Sequence, residues 1–144
     1  MKILIALLAL GISSLTMACT DFSGTFENQD TKEIHQIIQA DCTLLQFIEN
    51  EETTDVKVDG NYHQTLNQDV LVNGQKHGVL QVSKSARFGE SELFVDTKLH
   101  TEVDGTTEDS EKNAIMILNA DGNLMTKQSF PNGQIETITN KRIQ

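Results

Sequence analysis

The chain has no tryptophan, one tyrosine and one proline, and only 11 basic residues stand against 21 acidic ones. With one Tyr and six Phe for aromatics, it lacks the stacking platform that proteins use to hold bases or sugar rings. The excess of acid gives a net charge of −10, which repels phosphate backbones and anionic headgroups and argues against a nucleic-acid partner. No Asn-x-Ser/Thr sequon occurs. No Gly-x-Ser-x-Gly elbow, Ser-x-x-Lys pair or phosphate loop occurs either, so the familiar nucleophile and phosphate motifs are missing. Low-complexity tracts, solenoid repeats and breaks in composition are also absent, which leaves no sign of a second folded domain.

What is present begins with a leader. Met1-Lys2 is followed by an apolar run from Ile3 to Ile12 and by Ser-Ser-Leu-Thr-Met-Ala before Cys19. A basic start, a short apolar core and a small-residue exit describe a secretory signal peptide over residues 1–18. The run is shorter than the ~20 residues a membrane span needs. Residues 19–144 then form a single expected domain of ordinary size. Lys2 is the one charge lost with the leader.

Two cysteines, Cys19 and Cys42, survive its removal, and they admit two readings. An even count in an oxidising compartment points to a Cys19–Cys42 disulfide. In the other reading, Leu15-Thr-Met-Ala-Cys19 resembles a bacterial lipobox, whose cysteine is lipidated. The first places the protein in the periplasm or outside the cell; the second makes it an outer-membrane lipoprotein anchored at Cys19, and a membrane is a partner only then.

The rest of the chain reads as strand. Phe22–Phe26, Glu33–Gln39 and Cys42–Ile48 open it; the second has helix-compatible isoleucines but is short and β-branched. Between Ser91 and Val103, apolar and polar residues alternate with period two, as in a strand with one wet face. Asp59-Gly60, Asn73-Gly74, Asp104-Gly105, Asp121-Gly122 and Asn132-Gly133 are pairs that tolerate positive φ in tight hairpin turns. Such even punctuation predicts an all-β antiparallel up-and-down meander of eight to ten strands. A sheet that wide closes into a barrel, with a β-sandwich as the alternative.

Gly24-Thr25-Phe26 in the first strand, followed by hairpin after hairpin, resembles the lipocalin-like or calycin barrels, which carry Gly-x-Trp there. Phe26 stands in the place of the Trp, and Lys141 or Arg142 is the candidate for the basic residue that packs over it. The resemblance implies a barrel with a cavity for a small apolar ligand; with the leader and the missing motifs, the expectation is an exported, monomeric binding module with no cofactor and no catalytic role. The cavity is expected among Leu80, Val82, Leu93, Val95, Leu99, Met116 and Leu118. An envelope structural or protein-interaction domain with a fully packed core is the alternative function.

Chemistry beyond that is sparse. His35, His63, His77 and His100 lack metal-ligand spacing, so they read as surface or packing residues. The Asp-Gly turns lack the alternating acids of a calcium loop. Acid pairs such as Glu90/Glu92 and Glu108/Asp109 are commonplace on an acidic surface.

Overall fold

The computed structural model describes residues 19–144; the leader assigned to residues 1–18 lies outside them. Ten strands form: β1 Gly24–Asn28, β2 Ile34–Gln39, β3 Leu44–Glu49, β4 Glu52–Lys57 and β5 His63–Val72, then β6 Gln75–Phe88, β7 Glu92–Val103, β8 Thr106–Leu118, β9 Leu124–Ser129 and β10 Ile135–Arg142. All pair antiparallel in one sheet of order β4-β3-β2-β1-β10-β9-β8-β7-β6-β5. Every neighbour is therefore a sequence neighbour except β1 and β10, which join the two ends of the chain and curl the sheet nearly into a barrel. The expected architecture is thus the one observed. The seam lies between β4 and β5, the two edges.

The turns explain why the meander holds its register. At Asn73-Gly74 and Asp104-Gly105 both central residues have positive φ, 52° and 78° in the first and 50° and 77° in the second. These mirror-image turns match the right-handed twist of the strands they join. Asp59-Gly60 differs from expectation. Gly60 has φ 75°, but its N–H donates to the Ala86 carbonyl on β6 at 2.9 Å, so the segment crosses the seam instead of closing a hairpin.

The β3–β4 turn carries the same geometry without a glycine: Asn50 sits at φ 50° and Glu51 at φ 68°. A side chain in this region costs roughly 1–2 kcal/mol, and Glu51 has no short polar group to offset it. Replacing Glu51 with glycine is expected to raise stability by about 0.5–1 kcal/mol after the extra backbone entropy is counted. A denaturant midpoint that rises with an unchanged slope is the expected reading; a fall would show that the turn is not strained.

Alternation decides the core. Phe22, Phe26, Ile37, Leu45, Val56, Ala86, Leu93, Val95 and Leu124 are buried together, with Phe47, Val58, Phe88, Met116 and Leu118 packed against them. These lie toward one end of the sheet. Along β7 the inward positions pass from Leu93 at 0% exposure to Leu99 at 37%, so the packing runs out before the strand does. The β5–β8 strands are longer than the rest, and their far halves leave Leu66, Leu71 and Val72 exposed.

Cys19 and Cys42 form a disulfide with Cα atoms 5.7 Å apart. It ties the N-terminal segment to the approach of β3 and fits an oxidising, exported environment.

Candidate functional site

The barrel has a closed end and an open end, and the two are built from the same inward rows of residues. Phe22 and Phe88 stack at the closed end with ring centroids 6.2 Å apart. Phe26, fully buried, lies opposite both Arg142 on β10 and His35 on β2. The Arg142 guanidinium sits 5.0 Å from the Phe26 ring centroid and donates to the carbonyls of Ser23 at 2.8 Å and Gly122 at 3.0 Å. Gly24 is needed for this fit, since a Cβ there would stand 2.7 Å from the Arg142 guanidinium. Of the two basic residues considered from sequence, Arg142 is the one over the ring.

Toward the open end the inward residues become polar. His35, Phe47, Glu49, Met116, Thr126, Gln128, Ile138 and Asn140 surround a chamber of about 260 Å³, with Asn28 and Glu33 at its lip. A second chamber of about 210 Å³ lies against Lys84, Thr97, Lys112, Glu52, Thr54 and Val95. Phe47, Glu49, Met116 and Gln128 border both.

The electrostatics of these chambers follow from burial. The Lys84 ammonium is pushed below the usual lysine range by desolvation, with Glu49 pulling it up and Lys112 pushing it further down. Its ring contact is Phe47, 5.8 Å from Nζ to centroid. Among the described residues no carboxylate forms an ion pair with it. His35, stacked 5.8 Å from Phe26, is likewise held below the usual histidine range by burial, against the pull of Glu49. Asn140 is 3% exposed, and its Oδ1 is buried without a hydrogen-bond partner among the described residues.

The seven residues expected to line a cavity separate. Leu93 and Val95 are core, and Met116 and Leu118 pack against it. Leu80 and Val82 lie farther along the inner row, half-buried, and Leu99 is exposed. Val95 and Met116 alone among them border the interior chambers. The polar residues that do so were overlooked because each breaks an apolar alternation: Lys84 between Val82 and Ala86, Lys112 before Ala114 and Met116, Glu49 after Leu45 and Phe47. A charged residue in phase with core positions is the signal that would have found them.

Outside the barrel, an open groove of about 910 Å³ runs over the β6–β8 surface toward Phe130 and Pro131. Tyr62 crosses it, its hydroxyl donating to Glu111 at 2.7 Å and its ring lying 4.0 Å from the Lys98 ammonium. These charges are spent on one another. His63, His77 and His100 pair with Asp59, Asp104 and Asp109 at 2.6–2.8 Å, leaving His35 as the histidine turned inward. No group of three metal-capable side chains is gathered among the described residues.

Burial and the Glu111 hydrogen bond, with the charges of Glu111 and Asp96, push the Tyr62 phenol from 10.0 up to about 12. Because the folded pKa is raised, the contribution of this contact is complete below the unfolded phenol's pKa of about 10 and is lost as pH climbs toward 12. Tyr62 is the only tyrosine and there is no tryptophan, so phenolate absorbance reports this group alone. A midpoint near 12 in the folded chain is expected, falling in Glu111→Gln; a wild-type midpoint near 10 would contradict it.

Compared with family models, curated proteins and solved structures, the chain matches none.

Proposed function

We propose that this chain is an exported, lipocalin-like barrel that binds a small molecule at its open end and carries out no reaction. One observation carries the reading. Eight or so strands can fill a barrel's interior completely with side chains; here a packed floor gives way to two adjoining chambers lined by inward residues. The floor supports it as well, because Gly24, Phe26 and Arg142 come together as the resemblance to that family leads one to expect. The chambers have apolar walls at Ile37, Phe47, Met116 and Ile138 and polar groups around them, which suits an amphipathic ligand better than a purely apolar one.

A periplasmic or secreted location fits best. The Cys19 sulfur is engaged with Cys42, and a sulfur in that bond cannot also hold a thioether-linked lipid. Intact mass of the native protein checks this: the expected value is the chain from Cys19 less a pair of hydrogen atoms, and an added lipid mass would overturn it.

Native mass spectrometry of protein purified from its own source tests the binding function. A bound small molecule released on denaturation is the expected result. A bare chain that is also unmoved in thermal melting by polar, amphipathic and apolar compounds would overturn it. The second reading, an interaction domain of the envelope, is favoured by the exposed Leu66, Leu71, Val72 and Leu99 on the long strands. Copurification of a stable protein partner with empty chambers would support that reading instead.

A further inference from the structure

The two chambers are unlike each other, and the difference specifies a ligand. In one, Lys84 and Lys112 face inward, and Lys84 is half-buried with no carboxylate paired to it among the described residues. Holding a lysine ammonium away from water with no ion-pair partner in contact is costly, and two neighbouring ammoniums repel. In the other, Asn140 borders the chamber and its buried Oδ1 meets no donor among the described residues. An amide oxygen left in this way loses on the order of 1–3 kcal/mol. Between them lie the apolar surfaces of Phe47 and Met116, shared by both chambers, and the Glu49 carboxylate, which is shared as well.

We infer that the open end takes a small bipolar molecule with a carboxylate at one end, held by Lys84 and Lys112, and a hydroxyl or amino donor at the other, held by Asn140 and Glu49. This rests on the reading of the open end as a ligand site and adds the chemical class. Each unmet group of the protein then finds a partner: two ammoniums gain an anion, and an amide oxygen gains a donor. The ligand's middle is apolar, to lie on Phe47 and Met116. Glu33 and Glu52 also border the chambers, at their outer sides. With Glu49 they oppose a doubly charged anion, so the class is a monocarboxylate. The nearby Glu49 carboxylate, itself exposed, works against the burial that pushes the Lys84 ammonium below the usual lysine range.

The probes are para-hydroxyphenylacetate and ω-hydroxyhexanoate, titrated calorimetrically into the full mature chain. Each is compared with its methyl ester and with the analogue lacking the hydroxyl, phenylacetate or hexanoate. The acids are expected to bind about tenfold or more tighter than their esters, because a charge-assisted hydrogen bond is lost with the anion. Lys84→Met should abolish that acid–ester gap, and Asn140→Ala should abolish the preference for the hydroxylated acid. Lys112→Gln provides a second cation variant, and melting curves confirm that each variant is folded. If esters and acids bind alike, the carboxylate assignment is overturned while the ligand site stands. If only apolar dyes bind, the class is likewise overturned and the site stands. If neither acids, esters nor dyes bind, both readings fall. A gap that persists in Lys84→Met and Lys112→Gln would also overturn the inference, since the anion would then be held elsewhere.

Discussion

Replacing Phe26 with alanine is expected to lower stability by about 3–5 kcal/mol, the range for emptying a buried aromatic site. That is a large share of the ~5–15 kcal/mol that separates folded from unfolded chains. Phe26 is fully buried, and its neighbours cannot collapse into the space without giving something up. Arg142 lies over the ring while bound to two carbonyls on different segments. His35 stacks on it, and β1 is hydrogen-bonded on both sides, to β2 and β10. Those contacts hold the walls in place, so the cavity term adds to the lost burial. The residue sits where the two ends of the chain meet, so the loss should also weaken the β1–β10 junction that curls the sheet. Urea unfolding followed by circular dichroism measures it. A loss below ~1 kcal/mol would mean that Phe26 does not anchor the floor.

The second large effect belongs to the disulfide. Removing it by Cys19→Ser with Cys42→Ser is expected to cost about 3 kcal/mol, from the chain entropy returned to an unfolded state whose loop of about this length is no longer closed. The cysteines are 23 positions apart. Part of the cost should appear in the folded state. The segment it holds carries Phe22, buried and stacked on Phe88. Gln39 anchors the same segment by accepting from the Phe22 N–H at 3.0 Å and donating to the Thr20 carbonyl at 3.1 Å. With the covalent tie gone, residues 19–23 are held by those contacts and by the bonds of Ser23 to Arg142 and to the Gln39 N–H, and should show earlier amide exchange than the strands. The denaturant midpoint of the wild type in reductant should match that of the double variant. A midpoint unmoved by reduction would show that the bridge adds nothing to stability.

Both effects concern features that were visible before the fold was. Gly24-Thr25-Phe26 marked β1, and the parity of two cysteines favoured their bond. The hairpins were legible because Asn-Gly and Asp-Gly pairs supply positive φ locally, whatever the chain does at a distance. β7 was legible because six inward positions alternate with polar ones along its length. β6 was not: it runs over Gln75–Phe88, whereas apolar alternation marks only the part around Leu80 and Val82. Its inward Lys84 belongs to a polar interior, and a polar interior erases the pattern by which strands are recognised.

The sequence by itself determined most of the strands and the hairpins that make them neighbours, because turn conformation and period-two alternation are properties of a few adjacent residues. Only the tertiary structure decided which turn would cross the seam and where the packed interior would stop. Asp59-Gly60 looks like the other turns, yet the Ala86 carbonyl, 26 positions from Gly60 in the chain, draws it across. Lys84, Lys112, Glu49 and Asn140 come from four strands. Each is an ordinary polar residue until curvature of the sheet brings it to the chambers and toward the others.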